Sequence, residues 1–198
     1  MFSGIIESKS KIIRSEKSES VLRIWVQRPA QFDDIKIGDS ICTNGVCLTV
    51  EKFDSQEIQF CLGQETLHIL QNNLTHWLSY GVNLERSLKF GDRVHGHLVT
   101  GHVDSIAQVV RAEADGECWQ LQIQLPIEHS KFVWKKGSIC ISGVSLTVNE
   151  AQSGLVSVCL IPETMAATNL IHFSVGDSIT FETDYLAKSY IYSRSNGA

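Results

Sequence analysis

The sequence predicts an all-β chain folded as two tandem, homologous antiparallel barrels with short helices between strands, and three observations predict it. The stretch Asn44-Gly45-Val46-Cys47-Leu48-Thr49-Val50 recurs as Ser142-Gly143-Val144-Ser145-Leu146-Thr147-Val148. Flanking segments recur at nearly the same spacing. Each half breaks into about six short alternating runs separated by Gly, Asn, Asp or Pro, the pattern of a small closed barrel rather than of βαβ units. A chain of 198 residues divided this way leaves each half long enough to bury a core.

The first repeat opens with Phe2-Ser3-Gly4-Ile5-Ile6-Glu7-Ser8 and the second with Val99-Thr100-Gly101-His102-Val103-Asp104-Ser105, an offset of 97 (102 − 5). Lys11-Ile12-Ile13-Arg14 answers Gln108-Val109-Val110-Arg111, and Val26-Gln27-Arg28-Pro29 answers Ile123-Gln124-Leu125-Pro126. A short helix is expected after each proline, through Phe32 and Phe132, because proline is tolerated in a first helical turn. At the central stretch the offset is 98 (145 − 47), so one indel separates the halves. Its alternation is the two-residue period of a strand with one buried face. Val46, Leu48 and Val50, like Val144, Leu146 and Val148, then point inward. Cys47 with Thr49, and Ser145 with Thr147, stand on the outer face about 7 Å apart along the strand.

Glu65-Thr66 answers Glu163-Thr164. Each threonine reads either as the N-cap of a short helix, over residues 67–70 and 165–169, or as a ligand contact. Gly81-Val82-Asn83-Leu84-Glu85 answers Ser178-Ile179-Thr180-Phe181-Glu182 and closes each half on a strand. The seam falls near residues 89–98. The expected units are therefore 1–97 and 98–186, followed by a tail over 187–198. Leu186 and Tyr190, at i and i+4, predict a short amphipathic helix at that end, and residues 195–198 read as a frayed terminus.

A net charge of −5 without a run of Lys or Arg argues against a nucleic-acid surface held by phosphate contacts. The first residues lack the basic region and long apolar run of a signal peptide, and no stretch is long enough to span a bilayer, so a cytoplasmic protein without membrane contact is expected. The six cysteines show no Cys-x-x-Cys pair. Neither a disulfide framework nor a zinc knuckle is indicated, and Cys42, Cys61, Cys140 and Cys159, at matching positions, are expected as small strand hydrophobes.

His95, His97 and His102 cluster in His95-Gly96-His97-Leu98-Val99-Thr100-Gly101-His102. No acidic or thiol residue at ligand spacing completes a metal site there, so no metal is expected. His102 replaces Ile5 of the first repeat, and Ser145 replaces Cys47; such differences are where duplicated halves can take different tasks. Gly4 and Gly101, each followed by two residues able to present backbone N–H and C=O at a barrel mouth, suit a flat heterocycle docking along its edge like an added strand. The same glycines also fit a plain strand start or bend.

Taken together, Met1-Phe2-Ser3-Gly4-Ile5-Ile6-Glu7, the two central stretches, Gly96-His97-Leu98-Val99-Thr100-Gly101-His102-Val103-Asp104 and Ile161-Pro162-Glu163-Thr164 resemble riboflavin synthases of the α type across essentially the whole chain. The resemblance implies two six-stranded Greek-key barrels, each holding one 6,7-dimethyl-8-ribityllumazine. It implies a homotrimer in which the N-terminal barrel of one subunit faces the C-terminal barrel of its neighbour; lumazine synthase is a further candidate partner. The implied reaction is a cofactor-free dismutation in which one lumazine gives a four-carbon unit to another, yielding riboflavin and 5-amino-6-ribitylamino-uracil.

Carried over by motif, the first-barrel pocket resembles Gly4, Ile5, Ile6, Cys47, Leu48, Thr49, Cys61, Leu62, Gly63, Gln64, Glu65 and Thr66. The second resembles Gly101, His102, Val103, Lys136, Ser145, Leu146, Thr147, Cys159, Leu160, Ile161, Pro162, Glu163 and Thr164. Ser40, Cys47, His102 and Thr147 match positions that the family associates with catalysis. Three departures stand out: Ser3 where the family usually has threonine, Ser142 where relatives carry aspartate, and a shorter C-terminal segment. A non-catalytic lumazine- or flavin-binding protein of the same fold is the alternative; Cys47 and His102 favour the enzyme. A flavin reductase is a further rival, but two like barrels leave no room for a nicotinamide domain with its Gly-rich strand-to-helix turn.

Overall fold

The computed structural model describes residues 1–70 and 73–195. In the first half, β1 (Ser8–Ser10) and β2 (Ile12–Lys17) are one strand interrupted at Lys11, followed by β3 (Leu22–Gln27), β4 (Ser40–Thr43), β5 (Val46–Phe53), β6 (Glu57–Leu62) and β7 (Val82–Arg86). All pairings are antiparallel and the order is β1-β7-β4-β5-β6-β3-β2. Because the outermost segments are two pieces of one strand, the sheet closes as a six-stranded barrel. Closure removes the free edges a small sheet would otherwise expose.

The second half repeats this with β8 (Ser105–Asp115), β9 (Cys118–Gln124), β10 (Ser138–Ile141), β11 (Val144–Thr147), β12 (Glu150–Gln152), β13 (Leu155–Leu160) and β14 (Ser178–Thr183), in the order β11-β10-β14-β8-β9-β13-β12. Here the interrupted strand is the central one, broken at Val148-Asn149. The expected alternation holds in both copies: Val46, Leu48, Val50, Val144, Leu146 and Val148 are buried in separate barrel cores, while Thr49 and Thr147 are exposed and Cys47 and Ser145 half-buried.

Short elements depart from expectation in instructive ways. Pro29 opens only a single turn, closed by the Phe32 amide on the Pro29 carbonyl at 3.0 Å, because the Arg28 guanidinium occupies the Phe32 carbonyl at 2.7 and 3.0 Å. The counterpart is a 3₁₀ turn, Ile127–Phe132. Thr66 and Thr164 are not N-caps: α1 (Gln64–Leu70) and α3 (Pro162–Ala167) start earlier, α3 with Pro162 in its first turn, and both threonines lie inside the helix. A further helix, α2 (Asn73–Tyr80), buries Trp77 in the first core. The terminal helix α4 (Tyr185–Ser195) begins before the expected tail and leaves Leu186 and Tyr190 exposed; the last three residues of that tail lie outside the described residues. Among the described residues no helix is long and apolar enough to cross a membrane.

The two barrels meet through polar groups. The turns Asn44-Gly45 and Ser142-Gly143 have matching positive φ angles, and a Cβ on Gly143 would lie 2.8 Å from the Gly45 nitrogen. Around them Asn83 Nδ2 donates to the Ser142 carbonyl at 3.0 Å and to Asn169 Oδ1 at 2.8 Å, while Thr180 Oγ1 donates to the Asn44 carbonyl at 2.9 Å. Asn83 and Thr180 occupy the same repeat position, so these bonds are related by an approximate two-fold. Such groups are buried at little cost only when paired. At the rim, α2 stacks His76 on Phe173, with ring centroids 3.6 Å apart.

Candidate functional site

Between the barrels, the opening segments of the two repeats run side by side. Phe2 and Val99 exchange amide bonds at 2.8 and 3.0 Å, and both side chains are fully buried with Cys42 and Cys140. Beyond this bridge the two straps diverge, and each crosses to the other repeat's central strand. The Cys47 amide donates to the Gly101 carbonyl at 2.8 Å, and the Ser145 amide donates to the Gly4 carbonyl at 2.8 Å.

Both glycines are sterically required. Gly4 and Gly101 have φ of 75° and 79°, and a Cβ on either would lie 2.6 Å from the Cβ of Ser145 or Cys47, respectively. Left-handed backbone disfavours a larger residue, and contact below van der Waals distance excludes one. Packing follows the same crossing: Ile6 lies against the second barrel's core and Val103 against the first.

Two buried carboxylates hold the straps. Glu85 accepts the Ser3 amide (2.7 Å) and hydroxyl (2.8 Å) on one oxygen and the Gly4 amide (2.9 Å) on the other. Glu182 accepts the Thr100 amide (2.8 Å), the Thr100 hydroxyl (2.7 Å) and the Gly101 amide (2.9 Å) in the same pattern. The serine at position 3 therefore does the work of threonine at position 100. Burial pushes the Glu85 carboxyl up from its ordinary range, and the three bonds from Ser3 and Gly4 pull it back.

Two copies of the lumazine binding domain match residues 3–87 and 100–184. Over 95% of its length the chain is 35% identical to riboflavin synthase from Photobacterium phosphoreum, covering 86% of that protein. The chain belongs to the riboflavin synthase family. These enzymes are transferases. Riboflavin synthase from Mycobacterium tuberculosis is 36% identical over 95% of both chains, and that of Bacillus subtilis 33% identical over 97% of this chain and 88% of its own. Among solved structures, LumP complexed with riboflavin shares the fold with a TM-score of 0.82 at 22% identity, over 92% of this chain and 99% of that one. LumP complexed with 6,7-dimethyl-8-(1'-D-ribityl) lumazine gives 0.80 at the same identity and coverage.

The family-matched residues fall on two faces, but not in the grouping expected. The resemblance groups Gly4, Ile5 and Ile6 with the first barrel and Gly101, His102 and Val103 with the second, whereas the hydrogen bonds and packing of the two straps run to the opposite barrels. One face carries Cys47 and Thr49 beneath the strap Gly101-His102-Val103, with Cys61 half-buried on β6 and Ser40 opposite Thr49 in the β4–β5 register. Leu48 and Leu62 are buried beneath, and Gly63, Gln64, Glu65 and Thr66 lead into and form the start of α1. The other face carries Ser145 and Thr147 beneath Gly4-Ile5-Ile6, with half-buried Cys159 on β13, while Leu146 and Leu160 point into the core. Ile161, Pro162, Glu163 and Thr164 enter α3.

The crossing sorts the chemistry. Cys47 and His102 come to one face, His102 exposed with its amide on Thr100 Oγ1 at 3.2 Å. Ser145 and Ile5 come to the other, where His97 Nδ1 lies 2.7 Å from Ser145 Oγ and its amide donates to the Ser3 carbonyl at 3.1 Å. Burial pushes the His97 imidazole down from its ordinary value, opposed by Asp184. His97 thus joins the site as a serine partner, a role its sequence context did not reveal. Among the described residues no three His, Cys, Asp or Glu side chains are grouped to hold a metal ion. Lys136 has φ of 68° where the first repeat has Gly38, a strained backbone in an exposed turn.

A broad open cavity of about 1050 Å³ adjoins the first barrel, walled by Ile5, Ser40, Glu85, Arg86, Lys89 and His95 among others. It shares Ser40 and Ile5 with the family-matched set but not Cys47, Thr49, Ser145 or Thr147. Its floor is an ion-pair network in which Arg86 and Lys89 hold the Asp34 carboxyl down at about 2. Those charges are committed to one another, so the strand faces are the better site.

Proposed function

We propose that this chain is a riboflavin synthase that dismutates two 6,7-dimethyl-8-ribityllumazine molecules to riboflavin and 5-amino-6-ribitylamino-uracil, each barrel face binding one lumazine. The observation that carries this reading is the crossing: it brings Cys47 and His102, the two chemistry-bearing replacements, to one face and leaves Ser145 with Ile5 on the other. Two sites of one shape and different chemistry suit a reaction in which one ring gives carbon and the other receives it.

An electron-poor pteridinedione can delocalise the anion left when a C7-methyl proton departs. The protein then needs to supply a base, a nucleophile or activated water, and orientation. In our reading His102 moves the proton, since an imidazole suits transfer near neutral pH. Cys47 adds to the facing ring or positions the attacking water, and Ser40 and Thr147 direct proton traffic. Beyond the buried Gly4 and Gly101, the more exposed strap residues Ile5-Ile6 and His102-Val103 would offer backbone polar groups to the ring edges. Each ring would be held by the central strand of one of the units 1–97 and 98–186 and the strap of the other, with the face-to-face pair completed between neighbours in a homotrimer.

Incubating the purified protein with the lumazine and no cofactor tests this. Riboflavin should accumulate at one equivalent for every two lumazines consumed. Tight lumazine binding without riboflavin would instead establish the non-catalytic reading, which the shared LumP fold keeps in view.

A further inference from the structure

Gly101 carries two hydrogen bonds that point in opposite directions. Its amide donates to Glu182 at 2.9 Å, and its carbonyl accepts from the Cys47 amide at 2.8 Å. Gly4 stands in the same way between Glu85 at 2.9 Å and Ser145 at 2.8 Å. Glu182 belongs to the second barrel and Cys47 to the first; Glu85 belongs to the first and Ser145 to the second. A single glycine residue therefore joins the carboxylate of one barrel to the site strand of the other.

We propose that Glu85 and Glu182 are crossed positioning residues, each setting the strap that completes the binding face on the opposite barrel. Only a carboxylate fits the donors. Two consecutive backbone N–H groups and a hydroxyl converge on it, and its two oxygens can accept all three at once. Glutamine would turn an NH₂ group toward one of those N–H donors, losing its charge-assisted bond and leaving that donor buried and unpaired. Both glutamates are almost wholly buried, at 3% and 1% exposure, so water cannot take over the lost acceptor. A glutamate that merely closed its own barrel would act on its own barrel's face. A positioning residue of this kind acts on the other one.

Cys47 reports the state of the first face without any ligand, because it is half-buried directly under Gly101. Iodoacetamide labelling of Cys47, followed by peptide mass spectrometry on the full-length protein, is the test. Glu182→Gln should speed labelling of Cys47 about 10-fold, the scale of one charge-assisted hydrogen bond. Glu85→Gln should change it less than about 2-fold although Glu85 lies in the same barrel as Cys47. If either variant fails to fold, Thr100→Val and Ser3→Ala remove the hydroxyl bond from each carboxylate, the first together with the His102 amide's bond to Thr100 Oγ1 on the same strap; the first should raise Cys47 labelling by about 3-fold and the second leave it unchanged. An equal rise in both arms, or a rise confined to Glu85→Gln or Ser3→Ala, overturns the crossed assignment.

A second arm rests on the proposed function: lumazine should protect Cys47 in the wild-type protein, and about 10-fold more of it should be needed in Glu182→Gln. Absence of wild-type protection would count against lumazine binding at this face, while the ligand-free labelling contrast would still decide the positioning role.

Discussion

The amide of Cys47, in the first barrel, is bound at 2.8 Å by the carbonyl of Gly101, in the second repeat, with a hypothetical Gly101 Cβ only 2.6 Å from the Cys47 Cβ. Gly101→Ala therefore combines left-handed backbone strain with a steric clash. It should cost about 3 kcal/mol in urea unfolding and abolish most turnover. Gly38→Ala is the control: its φ of 94° imposes strain, but nothing lies within 4 Å of the added methyl, so about 1 kcal/mol is expected. Equal losses would mean that strain alone, and not the approach to Cys47, fixes Gly101.

His102 lies on the strap that covers Cys47, where the other strap presents Ile5. His102→Ile should keep lumazine binding, because the strap backbone is unchanged, while turnover falls about 10²-fold, the usual scale for losing a positioned acid or base. Fluorescence titration beside product formation separates the two. Binding that falls in step with turnover would make His102 a wall of the pocket, and unchanged turnover would remove it from the chemistry.

His76 gives the protein an acid-sensitive seam. It is 8% exposed and stacked on Phe173, and neither ring nitrogen finds a hydrogen-bond partner among the described residues. Burial pushes its imidazole below the usual 6.5, opposed by the nearby His172 backbone and by Asp177. A depressed folded-state value means that the unfolded chain takes up the proton first. The stability contribution is present above about pH 6.5 and is lost as pH falls through the folded value. His76→Phe should raise stability at pH 7 by about 1 kcal/mol and flatten the acid limb of urea midpoints measured from pH 5 to 8. His97 and His172, also pushed down by burial, should retain part of the slope.

Asn83 ties the barrels together. Asn83→Ala removes its donors to the Ser142 carbonyl and Asn169 Oδ1 and its acceptor for the Asn169 amide, all buried. The stranded groups should cost about 3 kcal/mol. A loss under 1 kcal/mol in urea unfolding would mean that the interface repacks.

What was legible in the sequence was local. The two-residue period of Val46 to Val50 gave the inward and outward faces because a strand's pleat is set residue by residue, and the repeat extended that reading to Ser145 and Thr147. The helix starts were misplaced by a few residues because Pro162 is itself a good first-turn residue, which leaves Thr164 inside the helix. The α2 segment, centred on Trp77, was not anticipated at all. The crossing was illegible for a different reason: alternation says that a strap is extended, not which barrel's strand it lies across. Glu85 and Glu182 were aligned by the repeat yet read as ordinary strand ends. An acidic residue retained at the same position of both closing strands, beside Asn83 and Thr180, was the signal that could have marked them.

The crossed site itself is tested most directly by methyl NMR. Ile and Val methyls are followed during titration with a non-reacting lumazine analogue, in intact protein and in protein alkylated at Cys47. Alkylation should erase the response of Val103, which packs on the first barrel, and leave that of Ile6, which packs on the second. Loss of the Ile6 response with Val103 still responding would show that each strap serves its own barrel and would contradict the account.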